Sequence, residues 1–346
     1  METAKELSIE NVEALEDVLS RPTEAAVAAM AALDGDLVIL GAGGKMGPTL
    51  ARMAKRASDQ AGVRRRVIGV SRFSTPALAE RLESWGVQAH RCDLLDRGSY
   101  THLPDAPNVV YMAGMKFGTT GQESLTWAMN SFLPGLVSER YSTSRIVVFS
   151  TGNVYGLTPI SAGGALESDP LNPQGEYAMS CLGRERIFEH FSRTQKIPMS
   201  FLRLCYATEL RYGVLTDIAR QVFTGQVIRL RMGWVNAIWE ADANAMSLQS
   251  LLHASTPPLV VNITGPAPYS VRKVAEEFGA IFGKPVRCEG PESEDALVAN
   301  ADKACQLFGS PEIGAARMFP WIADWVARGK EAWDKPTHYE NRAGDF

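Results

Sequence analysis

From Asp36 onward, short apolar runs alternate with stretches of helical spacing. Asp36–Leu40 reads as a strand, Met46–Ala57 as a helix and Arg66–Val70 as a second strand. The runs Val109–Met112, Arg145–Ser150, Met199–Leu204 and Leu259–Ile263 continue the series as strands. Strands separated by helices predict parallel pairing, so the fold class is α/β, a Rossmann doubly wound parallel sheet. Ahead of it, residues 5–33 have helical spacing, with Ile9, Val12, Leu15, Val18 and Leu19 on one face. Ser20-Arg21-Pro22-Thr23-Glu24 breaks that pattern, with Ser20 or Thr23 as the cap of the restart. Residues 1–34 are therefore expected to form an N-terminal helical extension outside the nucleotide fold, packed on its own chain or, as the alternative, on a partner subunit. Stretches 156–175 and 264–268 read as loops, and from Lys330 the chain is polar without a clear period.

Composition narrows the class. The chain has 346 residues, 45% of them hydrophobic, enough for a large core. A formal net charge of −4 and a pI near 5.8 argue against nucleic acid or an acidic membrane as the main partner. The five cysteines show no paired metal spacing, so no metal is expected. With an odd cysteine count, no readable secretory signal and no long apolar run, a reduced, cytoplasmic protein is expected.

The chemistry begins at Gly41-Ala42-Gly43-Gly44-Lys45-Met46-Gly47, which follows a predicted strand and opens a predicted helix. Gly41 suits a tight turn, and Gly43 or Gly44 lets the backbone approach a pyrophosphate. Gly47 lets the helix lie on the sheet, and the helix N-terminus offers N–H donors to the phosphates. A nicotinamide dinucleotide is the expected ligand. The second strand runs into Ser71-Arg72 without a carboxylate, and an arginine there pairs with a ribose 2′-phosphate. NADP is thus expected, with NAD possible. Asp93, in Cys92-Asp93-Leu94-Leu95-Asp96 after a further strand, is a candidate acceptor for the adenine amino group.

These segments, with Tyr111-Met112-Ala113-Gly114-Met115-Lys116, Ser150-Thr151-Gly152-Asn153-Val154-Tyr155-Gly156 and Tyr177-Ala178-Met179-Ser180-Cys181, resemble the extended short-chain dehydrogenase/reductases. Phe201-Leu202-Arg203-Leu204 and Asn262-Ile263-Thr264-Gly265 fit as well, so the resemblance runs from about Asp36 to Arg328. Nucleotide-sugar epimerases and dehydratases are the most similar members. The resemblance implies that Ala113, Gly114 and Lys116 lie along the cofactor. It also implies that Thr151 holds the substrate oxygen and Tyr177 is the acid/base. Hydride transfer at carbon needs a proton moved at its oxygen, which is the chemistry of such a pair.

Two departures stand out. The family carries a lysine four residues after the tyrosine, where its ammonium lowers the tyrosine pKa; this chain has Cys181. Dehydratases follow the threonine with an Asp-Glu pair, whereas Gly152 and Asn153 stand here, so a 4,6-dehydratase is not expected. The resemblance divides the chain into a nucleotide domain over 35–205, rejoined by 236–264, and a smaller C-terminal substrate-binding part over 206–235 and 265–346. Met115, Asn153, Tyr206 and Arg211 are the substrate-side candidates. Tyr206 replaces an asparagine that often lies near the nucleotide diphosphate of sugar-nucleotide substrates. Arg229 and Arg231 read as surface residues, and Trp234 and Trp239 either stack on a sugar or fill the core. The expected activity is an NAD(P)-dependent epimerase or reductase acting on a sugar, sugar nucleotide or related hydroxyl or carbonyl compound, in a homodimer paired through two helices. The competing expectation is an NADP-binding sensor or partner subunit with little turnover.

Overall fold

The computed structural model describes residues 8–116, 118–342 and 344. Residues 5–7 of the expected first helix lie outside these. Seven strands form one sheet: β1 (Leu37–Leu40), β2 (Val67–Ser71), β3 (Gln88–Arg91), β4 (Asn108–Tyr111), β5 (Arg145–Thr151), β6 (Met199–Leu204) and β7 (Leu259–Ile263). Their spatial order is β7-β6-β5-β4-β1-β2-β3, and every neighbouring pair is parallel. β1 and β4 are buried throughout, as a sheet covered on both faces requires. β3 is the exception. Its Gln-Ala-His-Arg sequence is half-exposed, which an edge strand tolerates. The order reverses between β1 and β4, and a crevice opens there at the carboxyl ends of the strands.

Two helices precede the sheet, α1 (Val12–Leu19) and α2 (Glu24–Ala32). The break falls where expected, and the cap is Thr23, whose side chain accepts from Ala26 N at 3.1 Å. Ser20 instead ends α1, its hydroxyl donating to Glu16 O at 2.7 Å. Both helices pack on their own chain, but the extension is not outside the nucleotide fold. Ala26, Met30 and Leu33 join the core beneath β1, while Leu15 and Leu19 of α1 enter a second core. Burying each of the larger side chains contributes of the order of 2 kcal/mol, so the extension is part of the fold it precedes.

The helix after the glycine loop is α3 (Gly47–Gln60), and α4 (Pro76–Ser84) follows β2. Next come α5 (Leu133–Arg140) and the long α6 (Gly175–Gln195), which carries Tyr177. The second core lies among α7 (Val214–Phe223), α9 (Val271–Phe282) and α10 (Ala315–Ala327). Between these segments α8 (Glu240–Gln249) returns to pack against α2 and α3. Trp239 and Trp325 are fully enclosed there, so Trp239 is a core residue. Arg229 and Arg231 are exposed. Among the described residues no helix is long and apolar enough to cross a membrane.

From Lys330 the described residues form no helix or strand, yet the segment is anchored at intervals. Lys330 Nζ donates to the Ile9 and Glu10 carbonyls at 2.6 and 2.8 Å. The Thr337 hydroxyl donates to Asp217 at 2.6 Å, and Tyr339 is 2% exposed. Side-chain anchors leave no periodicity for a sequence reading to detect.

Candidate functional site

A cleft of about 670 Å³ runs from the glycine loop to Tyr177, within the size range of cofactor sites. At one end its wall is backbone. Gly41 has φ +94°, and a Cβ there would stand 2.6 Å from Ala113 N. A Cβ on Gly47 would lie 2.5 Å from Ala42 O, so glycine lets α3 start against the strand. A Cβ on Gly43 would run into the Ser71 hydroxyl. Met46 caps α3 without a side-chain hydrogen bond, so no side chain of the cap competes for the first-turn N–H groups. These features fit a pyrophosphate. Lys45 and Lys116 also line the cleft. Burial and the charges of Lys116 and Lys335 hold Lys45 down to about 6, and burial lowers Lys116 to about 8.

Ser71 lies beside the loop, its hydroxyl next to Gly43, but is not among the residues that line the cleft. Arg72 is exposed, and neither it nor Asp93 lines the cleft. Asp93 accepts from Leu95 N at 3.1 Å, closing a local turn, and Leu94 is buried in the core. Ala113 is buried beside Gly41, and Gly114 faces the Arg184 guanidinium.

Beyond Lys116 the wall becomes side chains. β5 delivers Thr151 and α6 delivers Tyr177, which line one chamber together, and Cys181 packs against Tyr177. Cys181, one helical turn on, is fully buried. Burial lifts the Tyr177 hydroxyl well above 10; Cys181 adds to this, while Arg184 and Thr151 oppose it. Arg184 brings the positive charge nearest in sequence on this helix, its guanidinium donating to Phe149 O at 2.8 Å and Asn130 Oδ1 at 2.5 Å. Asn130 lies in a π-helical stretch, Ala128–Phe132, and also grips both backbone groups of Met115 at 2.9 Å. Such a local widening of a helix often marks a functional site. Lys116 Nζ stands 5.9 Å from the centre of the Tyr177 ring.

A model of the NAD dependent epimerase/dehydratase family matches residues 37–208, about half of the chain. The chain belongs to this family. No curated protein matches it significantly. Several solved structures share the fold at low identity. A UDP-glucuronic acid 4-epimerase from Bacillus cereus, solved with NAD, is 18% identical with a TM-score of 0.70, over 85% of this chain and 99% of that one. A UDP-glucose 4-epimerase from Thermotoga maritima, solved with UDP-glucose, is 15% identical with a TM-score of 0.68, over 85% and 99%. An epimerase from Methanothermobacter thermautotrophicus is 14% identical with a TM-score of 0.68, over 89% and 97%.

Within this family fold a smaller chamber of about 180 Å³ opens beside Tyr177, lined by Thr151, Asn153 and Tyr206 among others. Thr151 Oγ1 accepts from Asn153 N at 3.2 Å, so it also caps the turn that follows β5. Gly152 is compulsory there, because Cys205 Sγ fills the space of a side chain. Tyr206 adopts φ +47°, an uncommon conformation for a bulky residue. Met115 and Arg211 line the larger cleft instead. Arg211 is bound to Glu209 at 3.0 Å and Glu16 at 3.4 Å, with Trp333 stacked 4.6 Å from its guanidinium.

Sequence reading missed several residues. Glu16 and Arg81, paired at 2.7 Å, and Trp333 and Lys335 line the cleft. Glu240, Tyr212 and Thr337 line the chamber. Glu240 accepts from the Thr49 hydroxyl at 2.7 Å, and burial pushes its carboxyl up to about 8. None of these carries a motif.

Proposed function

We propose that the chain is an NAD(P)-dependent epimerase or reductase of a carbohydrate-like hydroxyl or carbonyl compound, with Tyr177 as the acid/base. The observation that carries this reading is the Tyr177–Thr151 hydroxyl pair at the far end of the cleft that begins at the glycine cradle. The glycine loop, Lys45, Met46, Lys116 and Ser71 would hold the dinucleotide, which when bound accepts or donates a hydride. The missing carboxylate after β2, with Ser71 and Arg72 in its place, favours the 2′-phosphorylated form. The relatives solved with NAD or a UDP-sugar support the reaction class.

The substrate oxygen sits between the Thr151 and Tyr177 hydroxyls. Oxidation passes its proton to Tyr177 as the hydride leaves the carbon that bears the oxygen. In epimerisation the hydride returns to the opposite face of the resulting carbonyl as Tyr177 gives its proton back, and a reductase runs this second half alone. Tyr177 is poorly disposed to ionise, because its pKa is raised and a thiol stands one turn away. Arg184 and Lys116 are the cations placed to help. Neither Gly152 nor Asn153 has an acid/base group, so dehydration is not the proposed reaction.

The elevated Tyr177 pKa favours a second reading, a dinucleotide-binding protein with little turnover. Tyr177→Phe separates the two. The enzyme reading expects turnover to fall by a factor of roughly 10² to 10⁴ with dinucleotide affinity unchanged. Unaltered biological activity in this variant would leave the binding protein. A homodimer is part of the proposal, because Leu125, Trp127, Phe132 and Met179 expose apolar surface on neighbouring helical segments.

A further inference from the structure

One turn after Tyr177 stands Cys181, whose small side chain is fully enclosed. Helical side chains lean toward the start of their helix, so a long one three residues further on lies back over the same face of α6. Arg184 is that residue. It is only 6% exposed, yet it lines the large cleft together with Gly114, Phe149, Ser150 and Tyr177.

The guanidinium is fixed there. One terminal nitrogen donates to Phe149 O at 2.8 Å and the other to Asn130 Oδ1 at 2.5 Å. Gly114 leaves the room, since a Cβ on it would run into that second nitrogen and into Asn130. Arg184 Nε is buried and has no hydrogen-bond partner among the described residues, so one donor is left for a ligand. The neighbouring carboxylate, Glu185, is bound to Arg203 at 2.8 Å instead. A guanidinium does not lose its proton in proteins. Arg184 therefore brings a permanent positive charge to the Tyr177 end of the cleft, and Lys116, 5.9 Å from the centre of the Tyr177 ring, adds to it.

With the pyrophosphate on the glycine loop and proton transfer at Tyr177, a bound nicotinamide ring lies at this end. The oxidised ring is positive and the reduced ring is neutral. A fixed cation beside it in a low-dielectric cleft opposes the oxidised form and spares the reduced one. Tyr177 agrees with that state, because a buried phenol that keeps its proton is an acid able to donate it.

We propose that Arg184 determines the redox state of the cofactor this cleft takes, favouring the reduced dinucleotide, and that the substrate is accordingly a carbonyl compound. In the step this favours, the carbonyl carbon receives the hydride of the reduced cofactor while Tyr177 gives its proton to the oxygen. The products are an alcohol and the oxidised cofactor, and Tyr177 regains a proton from water. The proposal rests on the reading of the cleft as a dinucleotide site, so the test reads binding and needs no substrate. NADPH, NADP+, NADH and NAD+ are each titrated calorimetrically at pH 7 into the full native chain, Arg184→Gln and Arg184→Lys. The expected result is that the native chain binds the reduced form roughly tenfold more tightly than its oxidised partner. Arg184→Gln should shrink that preference by roughly fivefold or more, and Arg184→Lys, which keeps the charge, should retain most of it. Equal affinity of the native chain for the two forms overturns the proposal, whether or not the variants fold. A preference that survives intact in Arg184→Gln overturns the role of Arg184, and equal loss in both variants assigns the effect to packing and overturns the role of its charge. Failure of all four dinucleotides to bind the native chain overturns the underlying reading of the cleft instead.

Discussion

At the glycine-loop end the cleft wall is largely backbone, whereas at the Tyr177 end it is side chains drawn from widely separated stretches. The first end needs small residues at fixed spacing between a strand and a helix. The second needs only that Thr151, Tyr206, Glu240 and Thr337 meet around Tyr177, and many spacings achieve that. The two ends also differ in electrostatics. The N-terminus of α3 faces the cradle, while the Tyr177 end buries a phenol, a thiol and a carboxyl whose charged forms are all disfavoured, and Lys45 and Lys116 line both cavities. A site made of backbone is rigid and generic. One made of side chains carries the specificity.

The comparison is sharpened most strongly at Cys181. Cys181→Lys would place an ammonium one turn from Tyr177, lowering the phenol pKa through opposite charge. The expected outcome is a turnover increase of roughly tenfold to a hundredfold, with the pH–rate profile moved to lower pH. An unchanged rate and profile would show that Tyr177 is not placed for proton transfer.

A smaller effect is expected at Glu240, which lines the chamber at the Tyr177 end. Its carboxyl is raised from 4.5 to about 8 in the folded chain. The folded protein keeps a proton that the unfolded chain releases, so this group's contribution to stability is lost as pH rises from about 4.5 to 8. Glu240→Gln keeps an acceptor for Thr49 without a charge to bury. Its melting temperature should gain on the native protein by about 2 °C or more between pH 5 and pH 9. A gap that does not change with pH would mean that Glu240 titrates normally.

Legibility followed the same division. The sheet was readable because buried parallel strands are continuous apolar runs, and six of them could be bounded to within a residue. β3 was hidden in its bounds because an edge strand can be polar. The glycine cradle and Tyr177 lie on local motifs and line one cleft, and Thr151, also on a motif, lines the chamber beside Tyr177. Arg72 and Asp93 were read from position alone and lie outside its lining. Glu16, Glu240, Trp333 and Thr337 were invisible, since each reaches the site through contacts from far along the chain. The fate of residues 8–34 was half legible. Their helices follow from periodicity, but α1 and α2 entering different cores does not.

The central claim is that the backbone cradle holds a nicotinamide dinucleotide, and Gly44 tests it most directly. Gly44 lines the cleft, its φ is not in the left-handed region, and a Cβ there would meet only Gly41 O at 3.3 Å. Gly44→Val should therefore fold while obstructing the approach of the pyrophosphate. Titration of NADP and NAD into the native protein and this variant, with melting temperatures alongside, is the decisive measurement. The account predicts saturable binding to the native protein and at least a hundredfold loss in the variant, with the melting temperature of the free variant little changed. Equal affinity in both proteins, or no binding to the native one, would contradict it.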